Sequence, residues 1–156
     1  MKHILIFFLC ISAISASAQE AIERLREQRC PMTFYKRTDS TDLKITKSRV
    51  KARATNSLLI QYICEDEVGK YLNGYTLYLV ITNVEGREII NEQAKPSSFN
   101  IKGQEILTYA QGAYRQDSGI SFEVVPPNDK WKKDSLFKFS IYTDTKEIAR
   151  RILFFD

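Results

Sequence analysis

The sequence predicts an all-β fold, a two-sheet antiparallel β-sandwich of immunoglobulin-like type with a short N-terminal helix; a small β-barrel is the alternative. Three observations carry this. From Met32 onward, short runs of β-branched and aromatic residues replace any sustained helical period. Gly, Pro, Asn and Asp signals separate these runs at regular spacing. The 156 residues, 44% apolar and 27% charged, have the composition of one foldable globular domain.

Residues 1–18 read as a cleaved secretory signal peptide. Lys2 and His3 lead into the apolar run Ile4 to Ile11, and small residues end it at Ala16-Ser17-Ala18, an A-x-A site that places cleavage before Gln19. A membrane anchor needs roughly 18 or more continuous apolar residues, and Ser12, Ser15 and Ser17 interrupt this run. Cys10 follows Phe7-Phe8-Leu9 and lacks the preceding small residue of a lipoprotein processing site, which favours a soluble product, periplasmic or extracellular. Residues 19–31 form a short helical leader, because Ile22 and Leu25 make an apolar stripe, Glu20 and Arg24 stand at i,i+4, and Pro31 stops the run.

Residues 32–156 form the single sandwich domain. The first strands are Thr33 to Lys36 and Leu43 to Arg53. Ser57 to Glu65 places Leu58, Ile60, Tyr62 and Cys64 on one face, and Tyr75 to Asn83 does the same with Tyr75, Leu77, Leu79 and Ile81. Glu65 to Gly74 between them reads as a polar loop ending in the turn pair Asn73-Gly74. Glu85-Gly86 marks a hairpin between Leu77 to Val84 and Arg87 to Ile90. Ser97 to Ile101, Glu105 to Tyr109 and Gly119 to Val125 follow, the last ended by Pro126-Pro127. Ser135 to Tyr142 alternates Phe137, Phe139 and Ile141 inward, turns at Thr143 to Lys146 and returns through Glu147 to Phe155.

Removal of the leader also removes chemistry. His3 is the single histidine, so the mature chain has none, and Ser-His-Asp and Cys-His nucleophile systems, histidine acid-base catalysis and His-containing zinc sites are excluded. The formal charge of +4 falls by one, Lys2, to +3, a surplus too mild to imply a nucleic-acid or anionic-membrane partner. Of three cysteines, Cys30 and Cys64 remain, too far apart for a C-x-x-C redox motif. A structural disulfide between them closes a loop of about 35 residues, worth roughly 4 kcal/mol through the unfolded chain; a buried free thiol is the rival assignment.

Several residues are candidate contacts. Lys47, Arg49, Lys51 and Arg53 alternate with Ser48, Val50 and Ala52, so on a strand they form one basic row able to meet phosphates or acidic glycans, or else to keep a sheet edge from aggregating. Tyr71, Tyr114 and Trp131, with Tyr75 and Tyr109, fall in or near loops where sugars or peptides stack; the competing assignment is half-buried sheet packing. The run Glu65-Asp66-Glu67 has the ligand type for Ca²⁺, but three successive carboxylates in an extended chain diverge and no EF-hand spacing is present, so a solvated loop is expected. Asp39 and Asp42 read as turn residues. No G-x-S-x-G, Walker A, dinucleotide fingerprint or H-E-x-x-H occurs, and no carboxylate pair is nominated for glycoside hydrolysis.

The leader ending Ala16-Ser17-Ala18 before Gln19 resembles those of Gram-negative envelope proteins, and the hairpin Ser135 to Phe155 resembles the last two strands of immunoglobulin-like bacterial modules. These resemblances imply a location and a scaffold, not an activity. The expected function is a non-enzymatic, exported protein-protein interaction module, an accessory subunit of an envelope or secreted assembly. Its partner is another envelope or secreted protein, with no cofactor or metal and no nucleic acid. A carbohydrate- or anionic-polymer-binding module is the alternative, and a histidine-free carboxylate hydrolase ranks last.

Overall fold

The computed structural model describes residues 29–38, 41–83, 97–126 and 131–156. The signal peptide, the leader as far as residue 28, Asp39, the Glu85-Gly86 hairpin with Arg87 to Ile90, and Pro127 lie outside the described residues.

The chain runs β1 (Met32–Arg37), β2 (Asp42–Lys44), β3 (Arg49–Val50), a 3-10 turn (Ala52–Ala54), β4 (Ser57–Tyr62), α1 (Asp66–Leu72) and β5 (Thr76–Asn83). It continues through β6 (Ser97–Ile101), β7 (Gln104–Thr108), β8 (Ala110–Ala113), β9 (Ile120–Val124), β10 (Ser135–Tyr142) and β11 (Glu147–Phe155). The fold is mostly β. One sheet has the order β2-β1-β4-β9, a second the order β3-β11-β10-β5-β8, and β6 and β7 form a separate two-stranded sheet. None of these sheets closes on itself, so the barrel alternative is set aside.

The alternating residues that the sequence assigned to one face meet in a shared core, except Tyr75, which precedes β5 and is 40% exposed. Leu58, Ile60, Leu77, Leu79, Phe139, Ile141, Leu153 and Phe155 are fully or almost fully buried in one cluster, each worth roughly 1.5–3 kcal/mol of transfer free energy. Phe34 of β1 meets Phe139 of β10 edge-on at 5.1 Å between ring centroids, which joins the four- and five-stranded sheets across that core. Trp131 closes one end, stacked on Phe155 at 4.5 Å and edge-on to Phe137.

Four expectations are corrected. Among the described residues the sheets number three, since the β6–β7 hairpin lies on the outward side of the five-stranded sheet and wedges Phe99 between Tyr78, at 4.3 Å, and Tyr142, at 5.8 Å. One pairing is parallel, with Phe154 opposite Arg49 and Phe155 opposite Val50. Leu43 to Arg53 is not one strand: after β3 the chain tightens, Ala54 N–H and the Thr55 hydroxyl both donating to the Lys51 carbonyl, a local alternative to ladder pairing. Glu65 to Gly74 is not a loop but contains α1. There Val68 and Leu72 are one helical turn apart and face the core. Lys70 in the last turn suits the helix dipole. Asn73-Gly74 ends the helix, Gly74 taking φ +83°.

Candidate functional site

The site is built around the Cys30–Cys64 disulfide, which ties the segment before β1 to the end of β4. Glu65 N–H donates to the Arg29 carbonyl at 2.9 Å and continues that junction. Immediately after it, α1 is held down by Tyr114, whose hydroxyl accepts the Cys64 N–H at 2.9 Å. Gly69 makes this close approach possible, because a Cβ there would stand 3.1 Å from the Cys64 carbonyl oxygen and 3.6 Å from the Tyr114 hydroxyl. Gly74 N–H donates to the Tyr114 carbonyl and Tyr114 N–H to the Tyr75 carbonyl, so helix and β5 are stitched to the end of β8.

Two adjoining recesses open beside the disulfide. One, of about 300 Å³, lies between α1, with Tyr71 and Leu72, and the β10–β11 turn from Thr143 to Lys146. The other, of about 260 Å³, lies between Cys30–Met32 and residues 148–151 of β11. Cys30 and Ile148 line both, so together they make one groove. Ile148 reaches it through a β-bulge: Ile141 faces Ala149 and Tyr142 faces Glu147, which leaves Ile148 as the extra residue.

At one end of the groove Tyr71, 69% exposed, stacks on Tyr75, 40% exposed, with ring centroids 5.6 Å apart and planes 26° from parallel. The hydrogen bond with Tyr71 is the main cause that pushes the Tyr75 phenol above its ordinary range, and the Asp144 carboxylate adds to it. At the other end is Arg151. It stands opposite Phe139, on the core face of β11, with its guanidinium 5.2 Å from the centre of the Phe34 ring. Burial pulls its pKa below the usual arginine range.

The predicted contacts are distributed unevenly. Tyr71 is in the groove. Tyr114 is fully buried and Trp131 is 3% exposed, so neither ring presents a face to a ligand; both pack the domain. Lys47, Arg49, Lys51 and Arg53 are all exposed, but they follow a bend, a two-residue strand and a 3-10 turn instead of one strand face. Arg49 lies over the Phe154 ring at 5.1 Å. Glu65 caps α1 and Asp66 and Glu67 begin it, Glu67 pairing with Lys70 at 2.8 Å, and among the described residues no cluster of three metal-ligating side chains occurs. No helix among them is long and apolar enough to cross a membrane.

Arg151 and Ile148 escaped the sequence reading. A signal for Arg151 was present: on β11 the inward series from Phe155 to Leu153 arrives next at a cation where period 2 calls for an apolar residue. Nothing in the sequence announced the bulge that turns Ile148 inward. No protein-family model matches the chain, and no curated protein or solved structure is significantly similar to it.

Proposed function

We propose that this chain is a non-enzymatic, exported protein-protein interaction module, an accessory subunit of an envelope or secreted assembly built on an immunoglobulin-like sandwich. The observation that carries this is the groove over the disulfide. It is bounded by an exposed tyrosine pair at one end, runs along a stretch of β11 that no described strand covers, and reaches a half-buried arginine at the other. Tyrosine and arginine are the residue types that dominate protein interfaces, because each combines a large apolar area with directed hydrogen bonds. The disulfide supports placement in an oxidising compartment, and two sheets sharing one core support the sandwich.

The test is capture from the native envelope with the tagged mature protein, wild type beside Tyr71→Ala/Tyr75→Ala, washed at low and high salt. A stoichiometric protein that survives high salt, is lost with the double variant and cross-links to α1 or β11 is the expected result. Retention of that partner by the variant would move the contact elsewhere; a free monomer under all conditions would remove the assembly role.

A second reading has its own observation. The stacked Tyr71–Tyr75 platform beside the Asp144 carboxylate and Lys146 ammonium also suits a sugar ring, and the four exposed basic residues from Lys47 to Arg53 suit an anionic polymer. Polysaccharide retention that salt removes, and that neutralising all four basic residues abolishes, would favour it.

A further inference from the structure

Resting on the proposed interaction role, the geometry of β11 names the chemistry of what enters the groove. We infer that the open edge of β11 accepts an extended peptide strand from a partner protein, with an inward-facing Asp or Glu side chain of that strand pairing with Arg151.

The first support is the sheet itself. β10 covers one edge of β11 along its length, whereas β3 covers the other only at Phe154 and Phe155. Among the described residues, β11 from Glu147 to Leu153 therefore has one unpaired edge, and the 260 Å³ recess lies along residues 148–151 of this stretch. Phe154 N–H donates to Ser48 O on the β3 side. Strand alternation sends the N–H and C=O of Ile152 and Arg150 toward that same edge, where they are presented to an incoming strand.

The second support is charge. Arg151 shares the core face with Phe139, so its guanidinium is removed from much of the solvent. Its hydrogen bonds run to the Met32 carbonyl at 3.5 Å and the Ile45 carbonyl at 3.4 Å, the outer limit of useful length. It has no carboxylate in ion-pair contact among the described residues. A half-buried cation held by two long bonds to neutral carbonyls and by the face of the Phe34 ring still lacks an anionic partner and favours an added carboxylate, which the planar guanidinium binds in two-pronged fashion. A strand laid beside β11 places the side chain opposite Arg151 on the same face at cross-strand distance. A side-chain carboxylate of a strand passing through is thus the matching group. The competing role for Arg151 is to discourage any strand from adding, as inward charges do at sheet edges.

The experiment uses the mature oxidised protein and three probes: an N-acetylated, C-amidated Thr/Val hexapeptide with one central Glu, its Gln counterpart, and tetragalacturonate. Amide NMR shifts and hydrogen exchange are read at Arg150 and Ile152. The expected result is slowed exchange at both amides with the Glu peptide and about tenfold weaker binding of the Gln peptide. That discrimination is lost in Arg151→Gln and kept in Arg150→Gln, both checked for unchanged melting. Equal binding of both peptides with slowed exchange would overturn the role of Arg151 and leave strand addition standing. Binding of neither peptide would overturn strand addition, while the capture experiment with the Tyr71/Tyr75 variant judges the interaction role separately. A response to tetragalacturonate alone would replace the peptide by an acidic glycan.

Discussion

Replacing Tyr114 by Phe removes one oxygen from the interior and leaves the ring in place. That oxygen accepts the Cys64 N–H at 2.9 Å, and Tyr114 is 0% exposed, so water cannot take over as acceptor. A buried donor left without a partner costs about 1–3 kcal/mol, whereas the hydrogen bond as formed contributes only about 1 kcal/mol net, so the orphaned N–H sets the magnitude. The void is a single oxygen, adding little. Tyr114→Phe should therefore destabilise the oxidised domain by about 2 kcal/mol, lowering Tm by roughly 8 °C at about 4 °C per kcal/mol for a domain of this size. Urea and thermal unfolding followed by far-UV circular dichroism would measure it, with Tyr71→Phe as a control on an exposed ring expected to change stability by under about 0.5 kcal/mol. A loss below about 0.5 kcal/mol for Tyr114→Phe, with an unchanged denaturant slope, would refute the reasoning.

The Cys30–Cys64 bridge spans 34 residues, so Cys30→Ser/Cys64→Ser should lower stability by roughly 4 kcal/mol; a urea midpoint indifferent to reductant in the wild type would sink this. At Gly119, with φ +66°, a Cβ would stand 2.4 Å from the Tyr62 carbonyl oxygen, whereas at Gly103, with φ +82°, it meets nothing within 4 Å. Gly119→Ala should thus cost about 3 kcal/mol or more and Gly103→Ala only about 1 kcal/mol, and equal melting temperatures would contradict it. Hydrogen bonding to Arg37 holds the Asp42 carboxyl below its ordinary range. A carboxyl depressed on folding contributes stability above its unfolded pKa and loses it as pH falls through the folded value. Asp42→Asn should therefore flatten the stability profile below about pH 4, an effect that salt weakens because the pair is exposed. An unchanged acid limb in the variant would remove Asp42 from the account.

What the sequence made legible follows the strength of its periodicity. The last hairpin, Ser135 to Tyr142 and Glu147 to Phe155, appears with its expected bounds, because Phe137, Phe139 and Ile141 give an unbroken period of 2 into the core. The face from Leu58 to Cys64 is buried as read. The short pieces were not legible. β8 contains Ala, Gln and Gly, with no β-forming signal, and exists because β5 offers it an edge. In α1, two acidic residues and Gly69 obscured the Val68–Leu72 spacing that tertiary contact enforces. Of the candidate site, Tyr71 was within reach of sequence reading. The burial of Tyr114 and Trp131 was not, since a tyrosine in a loop and one that pins a helix have the same local sequence signature.

Arg151 and Ile148 show where local rules give way and what that produces. A strand that obeyed period 2 throughout would carry an apolar residue at 151, and a continuous ladder would give Ile148 an opposite residue on β10. Instead the bulge turns Ile148 into the junction of the two recesses, and the cation stands in the recess where the cover of β3 is missing. Each departure costs stability in isolation: a bulge breaks the ladder and a half-buried guanidinium loses hydration. Both fall on the same seven residues of one strand, in recesses that Cys30 of the disulfide also lines. Their coincidence at one edge that no described strand covers is the observation on which the proposed binding role rests.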